Sequence, residues 1–308
     1  MSLRPSVIAA IESAGLEPAY VEALVRSTVA EDLDGGVDVT SAATVPSDQR
    51  STVDLVTRGA GVIAGIPVAA AVFDAVSEGD AHVTIVMPDG ARVVGGDVLL
   101  TVTGRTRDLL TAERTALNLL CHLSGVATAT AQWADALVGT TASVRDTRKT
   151  TPGLRVLEKY AVRCGGGVNH RMSLSDAALV KDNHVVAAGG VAAAFEAVRA
   201  MWPGLPVEVE VDSLGQLTEV LDAGADLVLL DNFSPAQMRI AVGIALEHAG
   251  HHGGVRARLE ASGGLTLADA AAVGATGVDY IAVGALTHSV VVLDIGADLR
   301  PLTRPDSP

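Results

Sequence analysis

The hydrophobic positions change rhythm along the 308-residue chain. Residues 5–32 repeat apolar side chains at helical spacing, with Val21, Leu24, Val25 and Val29 on one stripe, and predict two short helices broken at Gly15–Pro18. Between 50 and 105, STVDLVTRG, HVTIVMPDG, ARVVGGD and VLLTVTG are short β-rich runs punctuated by Gly, Pro and Asp, as in an antiparallel sheet. A long helix is expected over 111–137, with Leu117, Leu120 and Leu123 facing inward and Gly125 as a point of interruption. From about 143 the rhythm becomes strand then helix. Six apolar runs (143–149, 178–184, 207–213, 227–232, 258–262 and 280–285) end in polar residues and recur about every 20–35 residues, the spacing of parallel β/α units. GGVNHRMS (166–173) is a candidate seventh, short strand. Several runs are almost wholly apolar, as strands covered on both faces are. The pattern predicts an α/β fold containing a β/α barrel, with a doubly wound open sheet as the second topology.

Composition narrows the class. Apolar residues make up 49% and charged residues 19% of the chain, which suffices for a large core. Aromatics at 3% leave most of the packing to Ala, Val, Leu and Gly. A formal net charge of −14 argues against broad, charge-driven binding to nucleic acid or anionic membrane, but leaves room for a local basic pocket. Cys121 and Cys164 have no CxxC partner and read as free thiols of a reducing, cytoplasmic protein. The N-terminal stretch contains Glu12 and no long apolar core, so it reads as a helix and not a signal peptide. No run approaches the roughly 18 apolar residues of a membrane span. EDLDGGVDVTS (31–41) is spaced wrongly for a calcium loop, with Val37 and Ala43 where Gly and Glu are needed. It reads as an acidic turn with Thr40 or Ser41 as a cap.

Against that acidity, RDTRKTTPGLR (145–155) gathers Arg145, Arg148, Lys149 and Arg155, and residues 145–181 hold eight of the 22 Lys and Arg. Lys159 and Arg163 fall on an apparent helix and are expected to be solvated. In β/α barrels the active site lies at the C-terminal strand ends. Those ends here carry Arg148 and Lys149, Lys181 and Asp182, Glu210 and Asp212, Asp231, and Ser262. A buried charge is costly unless paired, so the structural alternative is a ring of salt bridges among these groups. Arg148, Lys149, Arg171 and Lys181 can converge on an anion, since arginine's planar fork suits carboxylate and phosphate. Glu210 and Asp231 are hard oxygen donors for Mg2+ or sugar hydroxyls. SGGLTLADAAA (262–272), with Gly263, Gly264 and a cap at Thr266, and VGALTHS (283–289), with Val283, Gly284 and Ala285, place glycine turns at the last two strand ends, where barrels bind phosphate. The implied ligand is highly anionic, partly phosphorylated and accompanied by a metal. His122 reads as packed or capping, Cys164 as structural, and His251 and His252 as solvated.

ERTALNLLCHLSGVAT, DTRKTTPGLRVLEKYAVRCGGGVNHRMSLSDAALVKDNH, VEVEVDS, LLDN, EASGGL and VGALTHS follow EDLDGGVDVTS in order from about 31 to 289. Together they resemble the nicotinate-nucleotide pyrophosphorylases (carboxylating), or quinolinate phosphoribosyltransferases. The resemblance implies an α/β, sandwich-like N-terminal domain over 1–125, joined by the C-terminal tail 289–308, and an open seven-stranded β/α barrel over 126–288. It implies transfer of the phosphoribosyl group of phosphoribosyl pyrophosphate (PRPP) to quinolinate, giving nicotinate mononucleotide, pyrophosphate and CO2, with Mg2+ required, in de novo NAD synthesis. Carried over by motif, Arg148, Arg171 and Lys181 grip the quinolinate carboxylates, with Thr147 and His170 beside them. Arg114 completes the site of a neighbouring subunit in a homodimer, further assembly being left open. Lys149 faces the PRPP phosphates. Glu210 and Asp231 face the ribose hydroxyls and the metal, directly or through PRPP. Ser262, Gly263 and Gly264 with Val283, Gly284 and Ala285 hold the 5-phosphate. Lys149, Lys181, Glu210 and Asp231 are the expected catalytic groups. The insertion-like AGHHGGVRAR (249–258) falls in a connecting segment.

Competing readings remain at this point. Lys181 at a strand end permits a Schiff-base aldolase, and a non-catalytic anion-binding module would need neither Glu210 nor Asp231. Barrel relatives associated with molybdenum transport, and phosphoribosyltransferases that use nicotinate, are closer competitors. The intact dicarboxylate set of Arg148, Arg171 and Lys181 favours quinolinate.

Overall fold

The computed structural model describes residues 3–252 and 254–302. Residues 303–308 of the expected tail and the side chain of His252 lie outside the described residues. The chain forms two compact units. Unit 1 comprises Met1–Ala129, Val156–Gly165 and Val290–Pro308, and unit 2 comprises Thr130–Arg155 and Gly166–Ser289.

Unit 1 opens with helices α1 (Pro5–Ser13) and α2 (Pro18–Leu33), separated at Gly15 with φ +69° and restarted by Pro18 in the first turn. The next helix, α3 (Val39–Thr44), is capped by Asp38, whose Oδ1 accepts from Thr40 N at 3.1 Å and Ser41 N at 3.0 Å. The cap is therefore two residues before the expected Thr40 and three before Ser41, because the Asp38 carboxylate reaches the orphan N–H groups of the first turn. There follow β1 (Arg50–Thr57), β2 (Gly61–Val62), α4 (Ile66–Val76), β3 (His82–Ile85), β4 (Arg92–Val93), β5 (Val98–Arg105) and α5 (Thr106–Ala136). Helix α4 is buried from Ile66 to Ala75, lies against β3 and β5, and receives α1 and α2 on its other side.

Helix α5 runs through Gly125 without a break. A Cβ at Gly125 would lie 2.5 Å from the Val291 carbonyl oxygen and 3.0 Å from Val292 Cα, so this glycine admits a crossing strand of backbone instead of ending the helix. Leu117, Leu120 and Leu123 are buried as expected. Helix α6 (Arg155–Cys164) contributes Val156–Cys164 to unit 1, although the expected division put this segment inside 126–288. Its Tyr160 hydroxyl donates to Asp89, which also accepts from Gly65 N at 2.9 Å and Ile66 N at 3.0 Å at the start of α4. His122 Nε2 lies 2.8 Å from Glu158 Oε1. Leu157–Val162 are all buried, so Lys159, expected in solvent, is enclosed with them, while Arg163 is exposed. Burial pushes the Cys164 thiol up to about 11, which fits a structural cysteine.

Later β strands complete both units. In unit 2 these are β6 (Ser143–Arg145), β7 (Ala178–Val180), β8 (Val207–Val211), β9 (Leu227–Asp231), β10 (Arg258–Ser262) and β11 (Tyr280–Ala282), alternating with α7 (Asp182–Ala188), α8 (Val191–Met201), α9 (Leu214–Asp222), α10 (Pro235–His252), a 3-10 turn at Leu267–Asp269, α11 (Ala270–Gly274) and α12 (Ala285–His288). Strand β12 (Ile295–Pro301) belongs to unit 1 and pairs antiparallel with β1 over its whole length, in a sheet of order β12-β1-β5-β3 beside the small β2-β4 pair.

The unit 2 sheet is parallel, in the order β6-β11-β10-β9-β8-β7. Its first strand lies beside its last, as in a rolled sheet. The expected seventh strand is reduced to one parallel bridge between Val168 and Arg145. Among the described residues no strand pairing joins Val168 to β7, so the barrel is open there. In VEVEV, Val207, Val209 and Val211 are buried on one face, while Glu208 and Glu210 share the other.

The close approach at Gly125 generates a stability prediction. Gly125→Ala is expected to lower the unfolding free energy of unit 1 by about 1–3 kcal/mol through overpacking, despite alanine's better helix propensity. Urea denaturation followed by tyrosine and tryptophan fluorescence measures it; an unchanged or raised midpoint contradicts the packing role.

Candidate active site

A cavity of about 280 Å3 opens among the C-terminal ends of the unit 2 strands, lined by Thr147, Arg148, Lys149, His170, Arg171, Leu179, Lys181, Leu229, Glu260, Ser262 and Ala282. A larger one, about 520 Å3, lies at the opposite strand ends, near Val207, Leu227 and Arg258. The smaller cavity has the concentrated chemistry. It brings together all four cations expected to converge: Arg148, Lys149, Arg171 and Lys181. The other members of the opening cluster are spent elsewhere. Arg155 donates to Thr150 Oγ1 at 3.0 Å and the Met172 carbonyl at 3.2 Å. Arg145 donates to Glu260 Oε2 at 2.7 Å and stacks 4.7 Å from the Tyr280 ring.

Local turns fix the cationic wall. Asp146 is buried and accepts from His170 N at 2.8 Å and from the Asn169 amide, tying the end of β6 to the segment after Val168. Arg171 NH1 donates to the Ala177 carbonyl at 2.9 Å. Arg148 Nε is buried and has no hydrogen-bond partner among the described residues. An orphaned guanidinium nitrogen is costly, and here it belongs to a side chain that lines a cavity. Burial, and then the like charge of Arg148, draw the Arg171 guanidinium below its usual value. Both guanidinium groups line the same cavity, an arrangement that could hold an anion.

His170 presents a fixed tautomer. Its Nδ1 accepts from Arg171 N at 2.7 Å, so Nε2 carries the hydrogen and donates to Glu208 Oε2 at 2.7 Å. Both ring nitrogens are thus engaged within the protein. Glu208 and Glu260 form an acidic floor that the sequence reading did not single out. Both are buried, Arg145 lies 3.9 Å from Glu208 and 2.7 Å from Glu260, and His170 Nε2 is 3.8 Å from Glu260 Oε1. Burial pushes each carboxyl up to about 7; Arg145, Arg171 and Lys181 oppose this at Glu208, whereas the charge of Glu208 reinforces it at Glu260. An acid inside an otherwise apolar parallel strand, as in VEVEV and RLEAS, was the available signal.

Lys181 forms a close ion pair with Glu210. The salt-bridge alternative is therefore realised at this pair and around Arg145, but does not account for Arg148. The pairing also leaves Lys181 engaged, unlike the free amine of a Schiff-base nucleophile. Asp231 is half-buried and accepts from Asn232 Nδ2 at 2.8 Å. Asp212 and Asp182 stay exposed.

At the glycine turns, Gly263 and Gly264 have φ of +103° and +58°, and a Cβ on Gly263 would lie 2.2 Å from Asn232 Oδ1. Thr266 and Asp269 form the expected cap. A Cβ on Gly284 would sit 3.0 Å from Lys149 Cδ, and Thr287 Oγ1 donates to the Lys149 carbonyl at 2.7 Å. Glycine at 284 thus lets Lys149 cross the turn of Val283, Gly284 and Ala285. Arg114 stands exposed on α5, among the residues of unit 1. His251 is exposed at the end of α10, within the segment expected to be a connection. Among the described residues no single helix is long and apolar enough to cross a membrane.

Comparison with known proteins decides the family. The quinolinate phosphoribosyl transferase C-terminal domain matches residues 126–298, and the N-terminal domain of the same family matches 38–124. The chain belongs to the quinolinate phosphoribosyl transferase family. Within this family, the nicotinate-nucleotide pyrophosphorylase (carboxylating) of Mycobacterium leprae is 54% identical over 279 residues, covering 89% of this chain and 95% of its own. A crystal structure of NadC from Streptococcus pyogenes is 39% identical, covers 94% of this chain and 99% of its own, and superposes with a TM-score of 0.87. The nicotinate-nucleotide pyrophosphorylase of Francisella tularensis is 37% identical over 92% of this chain and 96% of its own, with a TM-score of 0.85. The quinolinate phosphoribosyl transferase fold, an α/β N-terminal part with a β/α barrel, is therefore the fold of this chain.

The acidic floor makes stability depend on pH. A carboxyl raised from its ordinary 4.5 to about 7 holds a proton in the folded chain that the unfolded chain has released. That contribution is fully present below about 4.5, declines as pH rises, and is lost above about 7. Glu260→Gln removes one such group. Its urea midpoint relative to the natural chain is expected to rise between pH 5 and pH 8; a difference that stays constant contradicts the raised carboxyl.

Proposed function

We propose that the cavity of unit 2 is where this chain binds quinolinate while transferring to it the phosphoribosyl group of PRPP. The enzyme is a decarboxylating phosphoribosyltransferase of de novo NAD biosynthesis, giving nicotinate mononucleotide, pyrophosphate and CO2. The observation that carries the site assignment is the buried Arg148 Nε, unpartnered among the described residues, beside Arg171 on a wall with Lys181. Arg148 and Arg171 take the two carboxylates as planar donors. Lys181 turns to the same dianion, and its departure from Glu210 frees that carboxylate for the ribose hydroxyls. Thr147 and the ring of His170 form the wall beside the pyridine.

PRPP extends from this pocket toward the glycine turns. Its 5-phosphate meets the backbone of Ser262, Gly263 and Gly264 and of Val283, Gly284 and Ala285, while Lys149, laid across Gly284, faces the phosphates. Glu210 and Asp231 do not make an all-protein metal cage. Two carboxylates suit Mg2+, which keeps waters and is shared with substrate phosphates, so the donor set fits a metal arriving with PRPP. Bound there, Mg2+ supplies positive charge to the departing pyrophosphate.

The chemistry asks the chain for position and charge. The quinolinate nitrogen bonds to the anomeric carbon as the bond to pyrophosphate breaks. The adjacent carboxylate then departs as CO2, and the electron pair it leaves stays on the ring carbon, stabilised by the neighbouring cationic nitrogen until a proton adds there. The enzyme works in the cytoplasm as a homodimer, with Arg114 of one subunit completing the cavity of the other. The reaction with quinolinate, and its absence with nicotinate, follows from a pocket built for two carboxylates.

Arg148→Ala is expected to lower kcat/KM for quinolinate by roughly 10²–10³-fold, since it strips a buried charged contact. Arg114→Ala should be similarly weak alone. Mixed under conditions that exchange subunits, the two variants form hybrid dimers with one intact site, restoring about a quarter of normal activity by random pairing. Near-normal turnover by Arg148→Ala contradicts its role, and no recovery on mixing contradicts the shared site.

A further inference from the structure

The acidic floor remains unused by the roles above. Glu260 lines the cavity and Glu208 does not. One guanidinium, Arg145, serves both carboxylates, and His170 is held as a neutral ring by Arg171 N. Two buried carboxylates therefore share one directly paired guanidinium, and a proton on one of them relieves their mutual repulsion. Its position follows from the neighbours. Glu208 Oε2 accepts the His170 hydrogen and lies 3.9 Å from Arg145. Glu260 faces Arg145 and Tyr280 from β6 and β11, His170, Leu229 from β9, and the charge of Glu208. Arg145 occupies Oε2 of Glu260, while the buried Oε1 has no hydrogen-bond partner among the described residues.

We propose that Glu260 is the acid that protonates the pyridine carbon vacated by CO2, an inference that rests on quinolinate occupying this cavity. The bond from that carbon to the carboxylate breaks, and its electron pair stays on the ring beside the ribosylated nitrogen. Glu260 Oε1–H gives its proton to that carbon, a C–H bond forms, and Glu260 is left as a carboxylate against Arg145. Solvent restores the proton once product has left. The other groups lining the cavity are less suited. Arg148 and Arg171 do not deprotonate. With substrates bound, Lys181 is given to the quinolinate carboxylates and Lys149 to the phosphates, and both nitrogens of His170 are engaged. Burial, and then the charge of Glu208, already push the Glu260 carboxyl up to about 7, close to the value at which a general acid works best near neutrality.

Loss of CO2 is reversible until the carbon is protonated, so a missing acid stalls the reaction after pyrophosphate has gone. Rapid-quench single turnovers with Mg2+, PRPP and quinolinate, following pyrophosphate and nicotinate mononucleotide separately, test this. For Glu260→Gln, pyrophosphate release is expected within about threefold of normal and nicotinate mononucleotide formation slower by about 100-fold or more, with partial recovery in Glu260→Asp. Equal loss of both steps, or normal rates for both, overturns the inference. The natural enzyme gives an independent reading. Above the ionisation of Glu260, product formation should fall about tenfold per pH unit while pyrophosphate release stays level; parallel profiles overturn the inference. If the natural enzyme releases no pyrophosphate with quinolinate, the substrate assignment itself fails and takes this inference with it.

Discussion

Cations that wait for a doubly charged ligand repel one another until it arrives. In unit 2, burial and then the like charge of Arg148 weigh on the Arg171 guanidinium, and each answer to this shapes the site. Lys181 is paired with Glu210. Arg171 is fixed through Ala177 and stands above the Glu208 floor. Arg148 has a buried nitrogen with nothing to bond among the described residues, and so keeps its charge available. If acids neutralised all these cations in advance, each would have to be stripped away before an anion could bind. Held partly unpaired at strand ends, they retain that energy for the ligand.

The scaffold makes this tolerable by confining irregular backbone to one end of the sheet. Beneath it, Val209, Val211, Val228, Leu230 and Leu259 are buried in strands that need no adjustment. Above it, Asn232 N donates to the Ser262 carbonyl at 2.9 Å, and Gly263 is the residue whose missing Cβ permits that contact. Lys149 is pinned across Gly284 in the same way, by Thr287 bonding its carbonyl. The opening beside β7 leaves the rolled sheet with a break on the side that carries Arg171 and Lys181.

Much of this was legible because polar residues interrupt apolar strands at their ends. DTRK, VKD, VEVEVD and LLDN each marked the end of a strand, and the four expected cations meet in one cavity, whose lining does not include Glu210 or Asp231. What escaped has physical reasons. Helix α4 is apolar on nearly every face, so it carries no amphipathic stripe to read. Gly125 looked like a break because only the fold brings Val291 against it. Lys159 looked solvated because its helix was taken as a surface helix, whereas Leu157–Val162 are enclosed on all sides. Arg145 was grouped with Arg148 by proximity in sequence, but it ends β6 with its guanidinium on Glu260, whereas Arg148 lies in the loop beyond and lines the cavity. Glu208 and Glu260 were passed over for the same reason: their partners, Arg145 and His170, come from other strands and loops.

The claim on which the rest depends is that the wall of Arg148, Arg171 and Lys181 receives a dicarboxylate. The direct measurement is a crystal structure of the chain grown with quinolinate. The account predicts the pyridine in the unit 2 cavity, with one carboxylate bonded to Arg148 Nε and the other within reach of Arg171 and Lys181. Quinolinate bound elsewhere, with Arg148 still unpartnered, would contradict it.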